Sequence, residues 1–129
     1  MSAGKYNFIV EQGSQHEVTF RYKLADGSYQ SLTGYHVRMS VKDHITDETF
    51  VYQATSDQSQ TGQSGFAADF TISDQSATPG QFVLTIPSGT TRNFNFNQGV
   101  YDLEIAVNSS GLTTRLLEGK FKIKPEVSS

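Results

Sequence analysis

The chain has 129 residues, with 10 Lys and Arg against 13 Asp and Glu, a formal net charge of −3 and no cysteine. This length can bury a core without crosslinks, and the missing cysteines exclude disulfides and thiolate metal centres. With no basic run, nucleic acid is not expected as a partner, and with no stretch near the ~20 apolar residues of a membrane helix, neither is a membrane.

No apolar run follows residues 1–5, so no signal peptide is expected, and Met1 reads as the start of a complete gene product. Nine Phe and six Tyr suit pleated, half-buried strands, and eleven Gly supply frequent turns. Residues 1–4 read as a flexible arm. Over residues 6–11, Tyr6, Phe8 and Val10 alternate with Asn7, Ile9 and Glu11, the period of a strand. Gln12-Gly13-Ser14-Gln15 breaks it. Residues 17–23 then set Val18, Phe20 and Tyr22 against Thr19, Arg21 and Lys23, and Ala25-Asp26-Gly27-Ser28 makes a hairpin turn.

Over residues 35–42, Tyr35, Val37, Met39 and Val41 share one face, with His36, Arg38, Ser40 and Lys42 on the outward one. The polar tract 43–48 closes this strand, and residues 49–54 read as a short one. Residues 56–65 carry no apolar side chain and read as an exposed loop. A weak strand over 66–72, a turn region over 73–80 and a strand over 81–86 follow, the last ended by Pro87. In Asn93-Phe94-Asn95-Phe96-Asn97 the phenylalanines are placed to pin a segment crossing between two sheets.

Residues 100–123 read as the central hairpin. Tyr101, Leu103, Ile105 and Val107 form the apolar face of its first arm, and Leu117, Gly119, Phe121 and Ile123 that of its second. Asn108-Ser109-Ser110-Gly111 turns between them. Residues 125–129 form a polar arm. No window keeps helical spacing over two turns. The sum is about seven to nine short strands with turn signals every 8–12 residues or so, the pattern of a single all-β domain folded as an immunoglobulin-like antiparallel β-sandwich.

Chemistry-bearing residues form no recognisable constellation. His16, His36 and His44 lack metal-ligand spacing, so structural or solvated roles are expected. The tract 43–48 gathers three acids and a histidine but lacks the regular oxygens and the Gly of a calcium loop, and reads as a solvated turn. Asp102 and Glu104 share a strand face, where salt bridges to Lys120 or Lys122 are expected. There is no nucleophile elbow, P-loop or dinucleotide fingerprint, and Asn108-Ser109-Ser110 matches a glycosylation sequon. No catalytic, cofactor or metal residue is therefore expected. The candidate interface residues are Lys5 and Tyr6 in the N-terminal arm, and Asp43, Asp47 and Glu48 in the acidic turn. Ser56, Asp57 and Gln60 in the polar loop and Lys124 and Glu126 in the tail complete the set.

Several segments together carry a resemblance. Residues 6–13 (YNFIVEQG) precede Phe20-Arg21-Tyr22-Lys23 and Asp26-Gly27, followed by Leu32-Thr33-Gly34-Tyr35-His36-Val37-Arg38-Met39. Then come Val100-Tyr101-Asp102-Leu103-Glu104 and Thr114-Arg115-Leu116-Leu117-Glu118-Gly119 before Pro125-Glu126-Val127. This order resembles small structural proteins of tailed bacteriophages, and is similar to the immunoglobulin-like N-terminal domain of phage baseplate upper proteins. The resemblance implies a non-enzymatic virion part at the tail or baseplate, assembled in the bacterial host cytoplasm. Its partners would be other tail, baseplate or fibre subunits, contacted in multiple copies within a symmetric assembly. A capsid decoration protein is the alternative, and a host-surface carbohydrate-binding module with exposed Tyr and Phe is a third expectation.

Overall fold

The structure is a computed structural model that describes residues 4–44, 46, 50–56, 67–94 and 96–125. Nine strands and one short helix form among them: β1 (Gly4–Lys5), β2 (Phe8–Glu11), β3 (His16–Arg21), β4 (Tyr35–Lys42), β5 (Tyr52–Thr55), β6 (Phe70–Ile72), β7 (Gln81–Ile86), α1 (Ser88–Arg92), β8 (Gln98–Val107) and β9 (Thr113–Lys124). They make two sheets. The larger runs β1-β9-β8-β4-β5, with β2 also paired to β9, and the smaller runs β3-β7-β6. In immunoglobulin lettering, β3, β7 and β6 are strands B, E and D, while β9, β8, β4 and β5 are G, F, C and C′. The fold is an immunoglobulin-like β-sandwich.

Period-two alternation makes the core. Phe8 and Val10 of β2, Val37, Met39 and Val41 of β4, and Leu103 of β8 are completely buried from the large sheet, and Leu84 and Ile86 meet them from β7. Phe121 is also fully buried and touches four rings, Phe8, Tyr52, Phe94 and Phe96, at centroid distances of 5.3 to 6.1 Å. Phe94 and Phe96 do pack into the core as the crossing segment, but a helix precedes them. Pro87 leads into α1, whose five residues are too short to show helical periodicity in the sequence. Thr91 ties α1 to the β2–β3 turn by donating to the Ser14 carbonyl (2.8 Å) and accepting from the Gly13 N–H (3.1 Å).

Not every pairing is antiparallel. β1 and β2 run parallel to β9, with Lys5 opposite Glu118 and Glu11 opposite Lys124. Gly4 is therefore a strand residue and not part of a loose arm. Between β1 and β2 the chain keeps its register along β9 but leaves regular pairing beside Gly119, where Tyr6 N–H donates to Glu118 O (3.2 Å) and Asn7 Oδ1 accepts from Lys120 N–H (3.0 Å). This close approach is possible because Gly119 has no side chain: a Cβ there would stand 2.3 Å from Tyr6 O. Tyr101 Oη closes the knot by donating to that same carbonyl at 2.5 Å.

Two further local expectations are corrected. The segment 66–72 is not one strand, because Ala67 bridges Ala54 in the large sheet before the chain crosses to β6 in the small one. Strand 49–54 begins only at Tyr52, and Phe50 is exposed. The region 73–80 is a turn as expected, and Gln75 organises it. Gln75 Oε1 accepts from Leu32 N–H (2.8 Å) and Gly80 N–H (2.7 Å), and its amide donates to the carbonyls of Ser73 (2.9 Å) and Gln81 (3.1 Å). A fully used amide is worth most where the groups it satisfies have no access to water, and Leu32 is buried.

Candidate functional site

The outer strands β1 and β3 belong to different sheets and lie on the same flank of the sandwich, with a groove of about 640 Å³ between them. A β-bulge shapes one wall. Leu103 pairs with Leu117 and Glu104 with Arg115, so Leu116 is the extra residue on β9. The bulge sets Leu116 and Leu117, both half-buried, side by side along the groove, where simple alternation would have turned one of them away. Val18, Phe20 and Phe82 face them across the floor. Tyr6 packs edge-on against Phe8 (4.9 Å) and Phe20 (5.9 Å) and lines the same space.

The charges around this groove are one-sided. Lys5, Arg21, Lys23 and Arg115 line it, four of the ten basic residues of a net-acidic chain, and among the described residues no Asp or Glu does. Lys5 reaches Glu118 at 2.7 Å and Arg115 reaches Asp102 at 3.5 Å, both on the outer face of the large sheet. The Arg21 guanidinium lies 3.6 Å from the Tyr29 ring centre. An apolar floor with a cationic rim can hold an extended chain of apolar and acidic residues.

No protein-family model matches the chain, and no curated protein matches its sequence.

The structure separates the candidate interface residues. Lys5 and Tyr6 reach the groove, and Lys124 does not. It sits six positions along β9 from the partner of Lys5, about 20 Å away at the rise of a strand, and pairs with Glu11 at 3.9 Å. Asp43 borders a shallow hollow shared with His44, Thr46 and Phe96 at the other end of β8. Ser56 is not a free loop residue: its N–H donates to Val37 O and its hydroxyl accepts from Val37 N–H, each at 2.9 Å, extending the edge of β5. Asp47, Glu48, Asp57, Gln60 and Glu126 lie outside the described residues, as does loop 57–65. Arg21, Lys23, Arg115 and the two leucines were missed. Their strand period was visible, but the bulge and the opposition of two sheet edges have no local signal.

The acidic pair on β8 is also re-partnered. Glu104 is bonded by Arg38, directly opposite on β4, and Asp102 by Arg115, instead of by Lys120 or Lys122. Burial pushes the Asp102 carboxyl up and Arg115 pulls it back, while the Lys5 ammonium bonded to Glu118 holds that exposed carboxyl below its usual value. His36, assigned outward from the alternation, is 9% exposed, and its Nδ1 is 2.8 Å from Asn108 Oδ1. Half-buried His16 is pushed down by burial, against an opposing pull from Glu11.

Tyr52 donates to Asp69 Oδ2 at 2.5 Å and ties β5 to the segment entering β6. Burial pushes the Asp69 carboxyl up despite this bond, and burial followed by the Asp69 carboxylate pushes the Tyr52 phenol up. A carboxyl whose folded value is raised contributes most stability below its unfolded value near 3.9, and that contribution is lost as pH rises through the folded value. Asp69→Asn removes the charge and keeps an oxygen for Tyr52. Melting curves should therefore show a stabilised variant at pH 7, with the gain fading towards pH 4. A variant destabilised at pH 7 and matched to wild type at pH 4 would contradict this.

Proposed function

We propose that this chain is a non-enzymatic structural subunit of a bacteriophage virion, placed at the tail or baseplate, where it joins tail components or anchors fibres. The observation that carries the proposal is the apolar, cation-rimmed groove between two sheet edges, a surface suited to being held by another subunit. The motif order supports it, because its segments fall on the elements that build this flank: Tyr6 between β1 and β2, Phe20 and Arg21 on β3, and Thr114 to Gly119 on β9. In a symmetric particle many modest contacts act together, so a small domain contributes through avidity. The partners in this reading are tail, baseplate or fibre proteins, and the chain assembles with them in the host cytoplasm.

Immunogold labelling of purified virions tests the reading. Label at the tail end, with a fixed copy number in the tens and a multiple of three or six, is the expected outcome. Label confined to heads, with hundreds of copies, overturns it in favour of capsid decoration. Absence from purified particles overturns both.

A further inference from the structure

The groove also has a backbone side. In immunoglobulin domains of the constant type, strand A lies beside strand B and completes a four-stranded ABED sheet. Here the A segment joins the other sheet, as β1 and β2 on β9, so among the described residues β3 ends its own sheet with no strand beside it. Tyr22 N–H donates to Gly80 O at 2.9 Å, which sets the phase of the β3–β7 ladder. By alternation along that ladder, the N–H and C=O groups of Glu17, Thr19 and Arg21 point to the open side, directly over the groove.

We infer that the groove accepts an added β-strand: an extended segment of a different protein chain, with apolar side chains alternating with Asp or Glu, pairs along β3 in the position strand A leaves open. Alternation sends every second side chain of such a segment down onto Val18, Phe20, Leu116 and Leu117. The others stay at the rim, where Arg21 and Lys23, which unlike Lys5 and Arg115 meet no carboxylate among the described residues, favour carboxylates and repel cations. Charge complementarity selects the occupant, and the open backbone groups fix its direction and register. This deepens the subunit reading by naming the surface and the chemistry of the neighbour. Its test needs no virion, so the two fail separately.

The test is amide hydrogen exchange, read by NMR on the full ¹⁵N-labelled chain, with millimolar synthetic peptide of alternating valine and glutamate and its valine–lysine counterpart. The glutamate peptide should slow exchange at Glu17, Thr19 and Arg21 by about tenfold or more, with the lysine peptide inert. Thr19→Pro removes one open-side donor, a place where an edge strand tolerates proline, and should abolish this protection without lowering the melting temperature. Should that variant unfold, Arg21→Glu with Lys23→Glu serves instead and should transfer the preference to the lysine peptide. Equal protection by both peptides, or protection centred elsewhere, overturns the inference. Protection already present in the dilute free chain means its own segments cover the edge. Protection that rises with protein concentration, alongside a dimer in sedimentation, means a second copy does. Either result also overturns it.

Discussion

Phe121→Ala is expected to cost about 4 kcal/mol, the range for emptying a fully buried aromatic site. For a chain of this length that lowers the melting temperature by roughly 15 °C. The size follows from where the ring stands. Phe121 touches Phe8 from β2, Tyr52 from β5, and Phe94 and Phe96 from the crossing segment. Removing it leaves a hole that three separate stretches of chain border, and they cannot all close on it together. Lys122→Ala is the control, since its side chain faces solvent and its loss should stay within about 0.5 kcal/mol. A Phe121→Ala protein that melts with the wild type would show that the sandwich is held elsewhere.

Gly119→Ala is expected to cost about 3 kcal/mol and to release the N-terminal strand. The added carbon would meet Tyr6 O at 2.3 Å, a contact that only a shift of backbone can relieve, and the Asn7 side-chain Oδ1 at 2.8 Å. That shift breaks the bonds from Tyr6 N–H to Glu118 O and from Tyr101 Oη to Tyr6 O, adding lost hydrogen bonds to the overpacking. It also moves Lys5 and Tyr6, which form one wall of the groove. The signature to look for is local: faster amide exchange at Lys5, Tyr6 and Lys120, with the β3–β7 ladder unchanged. Gly89→Ala provides the contrast, because nothing lies within 4 Å of its added carbon and alanine favours a helix by about 1 kcal/mol. If both alanines melt alike and the N-terminal amides stay protected, the close approach at Gly119 is not what holds β1 in place.

What the sequence did not show shares a cause. Gln75 lies in a run of turn-formers, and four backbone groups from three parts of the chain converge on its amide. Arg38 and Arg115 displaced Lys120 and Lys122 as partners of the β8 acids because register and bulge, and not spacing along the chain, decide who stands opposite. His36 occupies an outward position by alternation and is buried all the same.

What the amino-acid order determined by itself is everything that depends on neighbours one or two positions away. The period of two in Val37, Met39 and Val41, or in Phe82, Leu84 and Ile86, settles which residues pleat and which face turns inward. The Asp26-Gly27 turn and the long β8–β9 hairpin follow from equally local chemistry. Tertiary structure alone decided that strand A joins β9 in parallel, that β3 is left at an edge, and that Lys5, Arg21, Lys23 and Arg115 meet around one groove. The reason is physical: alternation fixes a strand's faces but not its partner. Partner choice depends on contacts between residues more than a hundred positions apart, such as Tyr6 with Glu118 and Gly119.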